Sequence, residues 1–342
     1  MRLLKALFVL TAATALTACG GGGDASAPAP VPAPGPAVAS NGTLQAGVSA
    51  ATYPDARRVD AFNQLNTVRL GAGAGLLAQS AALDASASDH ANYLTRNGFD
   101  SADSAHDETA GLPGFTGTNP FLRMKGQGYD YAYATEVIGD IGSTSATSDC
   151  VGDLLDTVYH AASMLSRVTD VGIGVGSGNA AGMCTIDMAS PLAGGASRQI
   201  PPSGAVVAYP YGGSTVAHGT FHVSAETPRV STTLLPGASA GTPVLVGFRN
   251  QDVVAGGAVT ITQFSLATAD GAAVPAVIVA DSAIAGGGLN PDSELALSGP
   301  YFAALVPTSP LPPGTYRVTL KASISGGQAL NLTSWSFTVA SL

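Results

Sequence analysis

The chain has 342 residues and a formal net charge of -9, with 11% charged and 46% hydrophobic residues. No basic stripe interrupts this acidic balance, which argues against a nucleic-acid partner, since capture of a phosphate backbone needs clustered Lys and Arg. Beyond residue 19 no apolar run of about 18 residues is free of polar or glycine breaks, so no further membrane span is predicted.

The N-terminal segment, residues 1–18, has the composition of a cleavable export signal. Arg2 and Lys5 give it a basic start, and the apolar stretch that follows is too short to span a bilayer comfortably. Leu16-Thr17-Ala18-Cys19 then resembles a bacterial lipobox. We expect Cys19 to carry lipid and make the membrane a partner, in a cell-envelope protein at the outer membrane or cell surface, or facing the periplasm. An ordinary signal peptide with a chance cysteine is the alternative.

Residues 19–52 are rich in Gly, Ala and Pro, and include a run of four glycines at 20–23. This composition cannot bury a core and predicts an extended, partly polyproline spacer between the anchor and the folded part.

Residues 53–192 show helix-rich patterns. Val59, Phe62, Leu65 and Val68 recur at three-residue steps and predict an amphipathic helix that ends near residue 70. Further helices are predicted over 80–96, 120–125 and 150–165, and strands over 135–141, 171–175 and 183–188. Helices and strands alternate irregularly, which favours an α+β fold.

The pattern changes near Ile200. Residues 201–342 show period-two strands separated by Gly, Pro, Asn and Asp turns, which predicts a β-sandwich of about seven strands. Trp335 is the single tryptophan, and we expect it in the core of that sandwich.

Two cysteines, Cys150 and Cys184, remain besides Cys19. In an oxidising compartment such a pair is most simply a disulfide, with free buried thiols as the alternative.

Several features of residues 53–190 occur in an order and spacing that resemble the CAP superfamily in its bacterial SCP-like form. These features are Asn66-Thr67-Val68-Arg69, Leu83 with His90-Ala91, His106, Arg123-Met124-Lys125, Gly128-Tyr129, Glu136, His160, and the segment 171–176. The resemblance implies an α-β-α sandwich with an open cleft. The C-terminal region resembles bacterial Ig-like domains at Pro313-Gly314-Thr315-Tyr316 and Trp335-Ser336-Phe337.

The resemblance also implies the cleft residues. His106 matches the first cleft histidine, Glu136 the glutamate and His160 the second histidine. The chain departs from the family pattern at Thr135, Val137, Leu154 and Ala161, which flank or precede these positions. A second cleft acid has no clear match, and Glu108, Asp153 and Asp156 are stand-ins.

Two imidazoles and a carboxylate could bind a divalent cation such as zinc, or act as acid and base. In an extended loop His106 and Glu108 would point the same way. The alternative is that each histidine is a structural hydrogen-bonding group, which is how we interpret His90. His218 and His222 are expected to be a solvated surface pair.

The sequence thus favours a non-catalytic binding module whose cleft holds a small or lipid-like ligand, a metal ion or an envelope component. One alternative is a metal-dependent hydrolase that uses His106, Glu136 and His160. Another is an adhesion protein that acts through the Ig-like domain.

Overall fold

The structure is a computed structural model, and it describes most of the chain after residue 42. The described residues are 43–97, 105–141, 150–176, 182–192, 198–249, 259–298, 301–324 and 329–341. The predicted signal and Cys19 lie outside them. None of the described helices is long and apolar enough to cross a membrane.

The helices of the described residues follow the sequence predictions closely up to residue 126. They are α1 (Ala56–Ala72), α2 (Ala81–Asn97), α3 (Pro120–Gly126), α4 (Gly152–Leu155), α5 (Tyr159–Met164) and α6 (Ser293–Ser298). The Asp55 side chain accepts the N–H of Arg57 at the start of α1, and Gly73, with φ 80°, ends it in the left-handed region. Asn119 caps α3, and Pro120 occupies its first turn.

The single helix predicted over 150–165 is wrong. The chain instead forms α4 and α5, and Asp156 ends the first of them. The Thr157 hydroxyl donates to the carbonyl of Leu154 at 2.7 Å. A carbonyl at the end of α4 is thus satisfied by a side chain and not by the backbone N–H of a continuing helix.

Helices α1 to α5 pack against a four-stranded sheet. Its strands are β1 (Ala78–Gln79), β2 (Tyr131–Ile141), β3 (Asp170–Val175) and β4 (Gly182–Pro191), in the order β1-β3-β4-β2. β1 pairs with β3 in parallel, and the other pairings are antiparallel. Helices α2 and α3 pack on the sheet outside the main apolar core. Helices α1, α4 and α5 share that core, so the region has three layers.

Strand β3 shows how the sheet admits a helix at close range. Val171 and Ile173 point into the main apolar core, whereas Gly172 and Gly174 alternate with them and face α2. A Cβ at Gly172 would lie 2.0 Å from the Leu83 carbonyl carbon, and one at Gly174 would lie 2.1 Å from the Ala87 carbonyl oxygen. Helix α2 can therefore rest directly on the strand backbone.

Residues after 200 form a β-sandwich, as predicted, but their described part has thirteen strands instead of about seven. Its strands are β5 (Val206–Tyr209), β6 (Thr215–Val216), β7 (Thr220–His222), β8 (Ser239–Gly241), β9 (Val244–Phe248), β10 (Val259–Thr268), β11 (Ala273–Val274), β12 (Ala276–Ala280), β13 (Ala285–Gly286), β14 (Leu289–Pro291), β15 (Phe302–Pro307), β16 (Gly314–Ile324) and β17 (Ser334–Val339). The sheet orders are β11-β10-β16-β17-β6 and β14-β12-β15-β9-β5, and β7 pairs with β8. Trp335 is buried in the core, and its indole N–H donates to the carbonyl of Pro210 at 2.8 Å.

The two regions share one continuous apolar core, which includes Leu65 on one side and Val244 on the other. Thr43 forms a β-bridge with Ile200 where the chain passes between them. The Gln45 amide donates to the carbonyls of Leu76 and Thr169, at 2.8 Å each. Residues 43–52, the end of the predicted spacer, thus lie against the fold.

The disulfide prediction is confirmed: Cys150, just before α4, is bonded to Cys184 on β4.

Candidate functional site

His106 and Glu136 meet, as the sequence predicted. Nδ1 of His106 lies 2.8 Å from Oε1 of Glu136, and the His106 side chain is 29% exposed, whereas that of Glu136 is buried. Arg123 holds the same carboxylate through two hydrogen bonds, at 3.0 and 2.8 Å, and donates to the backbone carbonyl of His106 at 3.0 Å. The surface imidazole therefore rests on a buried ion pair in which Nη2 of Arg123 contacts both carboxylate oxygens.

The charge state of Glu136 follows from these partners. Burial alone would raise its pKa, but the hydrogen bond with His106 and the charge of Arg123 outweigh burial and lower the pKa to about 2. An ionised Glu136 can only accept hydrogen bonds, so Nδ1 of His106 carries the proton between them.

Asp187 lies directly behind this pair. It is the cross-strand neighbour of Glu136 and is fully buried, and neither of its oxygens has a hydrogen-bond partner of ordinary geometry in the described residues. Burial and the negative charge of Glu136 raise the pKa of Asp187 well above its usual range. Asp187 therefore holds its proton to a higher pH than an ordinary aspartate does, whereas Glu136 loses its proton at a lower pH than an ordinary glutamate does.

Glu108 belongs to the same cluster, and its Oε1 lies 3.8 Å from Nε of Arg123. The same oxygen lies 2.9 Å from Nδ1 of His90, and Oε2 accepts the backbone N–H of Thr116 at 2.6 Å. The loop is turned at residues 105–106, and the side chains of both His106 and Glu108 reach the cluster around Arg123 and Glu136. Burial opposes ionisation of Glu108, but the His90 and Thr116 bonds lower its pKa. His90 is buried and hydrogen-bonded, as expected of a structural histidine.

His160 has different partners from His106 and Glu136. Its Nδ1 lies 3.0 Å from the Thr157 hydroxyl and 3.3 Å from Oε1 of Glu226, which belongs to the C-terminal region. Glu226 is fully buried and also accepts the backbone N–H groups of Val158 at 3.0 Å and of His160 at 3.1 Å. An acid from the second region thus stabilises the start of α5.

His218 is not merely a solvated residue. Its Nδ1 lies 3.1 Å from Oδ2 of Asp156, a buried residue at the end of α4. Both histidines are exposed, as expected of a surface pair: His222 contacts the Ser239 hydroxyl at 3.3 Å, and His218 in addition joins the two regions. Sequence spacing alone could not reveal this, because Asp156 is 62 residues away.

The side chains of His106, Glu136 and His160 do not fit the zinc ion that the sequence allowed. Within the residues that the structure describes, no group of three or more His, Cys, Asp or Glu side chains is placed to hold a metal ion. Both oxygens of Glu136 already accept from Arg123, and His160 pairs with Glu226. A tetrahedral zinc site needs ligand atoms within about 2 Å of the ion. The described side chains around His106 do not supply such a set, so we assign no metal chemistry there.

The surface next to His106 along the chain is unusually apolar. Large exposed hydrophobic side chains occur on the loop that follows His106 and on the first turn of α3. They are Leu112, Phe115, Phe121 and Leu122, which are 43%, 38%, 42% and 52% exposed. The Phe121 ring contacts that of Tyr131, with centroids 5.7 Å apart. We call these four side chains the apolar segment. A surface that gathers large apolar groups typically marks an interaction site.

The region with this helix-covered sheet, surface histidine and buried glutamate and arginine matches a known family. Residues 62–187 match the family model of CAP, the Cysteine-rich secretory protein family. Because of this match we call the helix-covered region the CAP domain, and the β-sandwich follows it.

Comparisons with solved structures give weaker likenesses. An extracellular protein containing a SCP domain from Bacillus anthracis str. Ames is 22% identical, with a TM-score of 0.31; the alignment covers 42% of this chain and 45% of that one. PcoC, a methionine rich copper resistance protein from Escherichia coli, is 18% identical over 39% of this chain and 93% of that one, with a TM-score of 0.22. Likenesses this weak say nothing about shared function. No curated protein matches the chain.

Sequence reasoning missed three residues of these clusters. Arg123 was noticed only as part of a motif, although it is buried and holds Glu136. Asp187 did leave a signal, since it is a lone charge within the apolar strand β4. Glu226 left none, because its partners lie 66 to 68 residues earlier in the chain.

Proposed function

We propose that the protein is an exported, lipid-anchored CAP-domain binding module, and that the surface around His106 takes a lipid-like ligand without catalysing a reaction. The observation that carries this proposal is the half-buried His106, fixed from beneath by Glu136 and followed along the chain by the apolar segment. The apolar side chains offer contact area to a hydrocarbon chain, and the exposed part of the His106 imidazole offers a polar surface to its head.

The state of Glu136 supports binding over catalysis. A carboxylate whose pKa is about 2 is a poor proton acceptor near neutral pH, and two hydrogen bonds from Arg123 hold it in place. Such a group fixes the orientation of His106 rather than exchanging protons with a substrate.

A fluorescent fatty acid such as 11-(dansylamino)undecanoic acid tests the proposal, because its emission rises in an apolar site. We expect saturable binding that weakens about tenfold in Phe115→Ser or Leu122→Ser, and also in His106→Ala. Leu70→Ser is the matched control, since Leu70 is 60% exposed on α1, outside the apolar segment.

Equal binding by all of these variants would rule out the surface around His106. Hydrolysis of a chromogenic ester by the parent protein, abolished in His106→Ala, would instead favour an enzyme.

The export and anchoring parts of the proposal rest on the lipobox-like segment that ends at Cys19, and the Cys150–Cys184 disulfide suits an oxidising compartment. Metabolic labelling with a fatty-acid probe should mark the parent protein. Cys19→Ser should abolish the mark and release the protein from membranes, and labelling that survives the substitution would exclude the anchor.

A further inference from the structure

A second cavity, at the junction of the CAP domain and the β-sandwich, is independent of the surface around His106. It has a volume of about 570 Å³, and both regions line it: Asp153, Asp156 and Thr157 from one side, and His218, Thr220 and His222 from the other. A smaller cavity of about 150 Å³ shares Asp156 and His218 with it. Small-molecule sites typically have volumes of this order and occur preferentially at domain interfaces.

The lining of the two cavities restricts the class of ligand by charge. Neither cavity is lined by Lys or Arg in the described residues, whereas Asp153 and Asp156 contribute carboxylates. A phosphate or carboxylate ligand would therefore meet repulsion without a compensating cation. A purely apolar ligand would displace water from the carboxylates and imidazoles without replacing the hydrogen bonds that the water made.

Among the remaining lining groups, several polar side chains suit hydroxyls, and Phe221 adds an apolar wall. Thr157 and Thr220 line the larger cavity, and Gln64, Tyr211 and Ser214 line the smaller one. Hydroxyl side chains both donate and accept, as sugar hydroxyls do, and carboxylates accept from them. The half-exposed Tyr211 ring adds an aromatic surface for the apolar face of a sugar ring.

The wall that carries His218 is held rigidly. Asp156, itself buried, holds Nδ1 of the imidazole, and the Thr242 hydroxyl donates to the His218 carbonyl at 2.7 Å. The N–H of Leu311 donates to the carbonyl of Gly219 at 2.7 Å, and a Cβ at Gly219 would lie 2.0 Å from the Leu311 carbonyl oxygen. The site therefore needs little ordering when a ligand binds, which favours affinity.

We propose that this junction cavity is a binding site for an uncharged carbohydrate, with His218 and Asp156 as its central hydrogen-bonding pair. A ligand there contacts both regions at once, so its binding stabilises the folded form of the whole chain.

The test uses the full chain, purified from membranes in a detergent without a sugar headgroup. Cellobiose, maltose and N,N′-diacetylchitobiose are titrated while the imidazole ¹⁵N–¹H signals are recorded. The chain has five histidines, and substitution assigns each signal. We expect at least one disaccharide to shift the His218 signal saturably with a Kd of about 1 mM or below, and to leave that of His90 unchanged.

Substitutions locate the site. His218→Ala and Asp156→Asn should each weaken binding about tenfold, whereas Lys321→Ala, an exposed residue on β16, should not. Should these two variants fail to fold, His222→Ala alters the cavity from an exposed position and should still weaken binding.

The absence of saturable binding by all three sugars would overturn the proposal. So would equal binding of glucose 6-phosphate, because the charge argument excludes an anion, and so would binding that His222→Ala and His218→Ala leave intact.

Discussion

The carboxylate of Glu226 lies 3.3 Å from Nδ1 of His160, so an acid of the β-sandwich holds a histidine of the CAP domain. A second cross-region pair runs the other way, from Asp156 of the CAP domain to His218 of the sandwich. Together with the continuous apolar core, these pairs make the sandwich part of the folding unit rather than an appended spacer.

Removing Glu226 should destabilise the whole chain. Glu226→Ala leaves buried N–H groups at Val158 and His160 without acceptors, and each such group costs roughly 1–3 kcal/mol. We expect the free energy of unfolding to fall by about 3 kcal/mol or more in urea titrations followed by circular dichroism. Glu226→Gln, which keeps one carbonyl oxygen, should lose less.

The matched control for this loss is Asp60→Ala, which removes an exposed acid from α1. If Glu226→Ala unfolds at the same urea concentration as that control, the cross-region contact has no energetic weight.

Asp187 should reduce stability as the pH rises. Its pKa in the folded state lies above the usual value of 3.8, so its favourable contribution is complete below about pH 4 and is lost as the pH rises through the folded pKa. Asp187→Asn mimics the protonated acid and has no such loss. We expect this variant to match the parent near pH 4 and to exceed its free energy of unfolding increasingly toward neutral pH.

Glu136 acts in the opposite direction and serves as the internal reference. Its lowered pKa gives a contribution that is present above the usual value of 4.5 and is lost as the pH falls toward 2. That acid-side loss should appear in both proteins. Parallel stability curves for Asp187→Asn and the parent above pH 4 would show that Asp187 is ionised in the fold.

Close packing of α2 on β3 makes Gly174 sensitive to a single methyl group. Gly174→Ala would place a Cβ 2.1 Å from the Ala87 carbonyl oxygen, so the helix would have to move, at a cost of about 3 kcal/mol or more. Gly126→Ala is the control, because nothing lies within 4 Å of its added Cβ. Thermal unfolding should separate the two variants clearly, and equal melting temperatures would disprove the packing argument.

The disulfide closes a loop between residues 34 apart. On the chain-entropy account, replacing both Cys150 and Cys184 by Ala should lower the free energy of unfolding by roughly 3 to 4 kcal/mol. Native-state mass spectrometry of the parent without reduction should show the linked peptides. Two alkylatable thiols in protein from an oxidising compartment would contradict the bond.

Local sequence signals predicted the elements that local physics determines. The three-residue spacing on α1, Asn119 before Pro120, and the alternating strand around Trp335 all predict structure through nearby residues. The break between α4 and α5 could not be predicted this way, because Glu226, which caps the second helix, lies 66 to 68 residues away.

The same limit applies to the candidate site. The family resemblance correctly predicted that His106 would meet Glu136, but it also grouped His160 with them, and the structure gives His160 the partner Glu226. Whether a buried carboxylate is ionised depends on its neighbours in space. Nothing local distinguishes Glu136, held by Arg123, from Asp187, which has no such partner.

The bridge between Thr43 and Ile200 has a mechanical consequence. Any pull on the N-terminal segment enters the folded part at Thr43, beside the passage between the two regions. Gln45 and Gln199 connect Thr43 to the fold: the Gln199 side chain accepts the backbone N–H of Gln45, and both side-chain amides donate to the carbonyl of Leu76. Force applied at Thr43 would therefore load this network of hydrogen bonds before it reached α1.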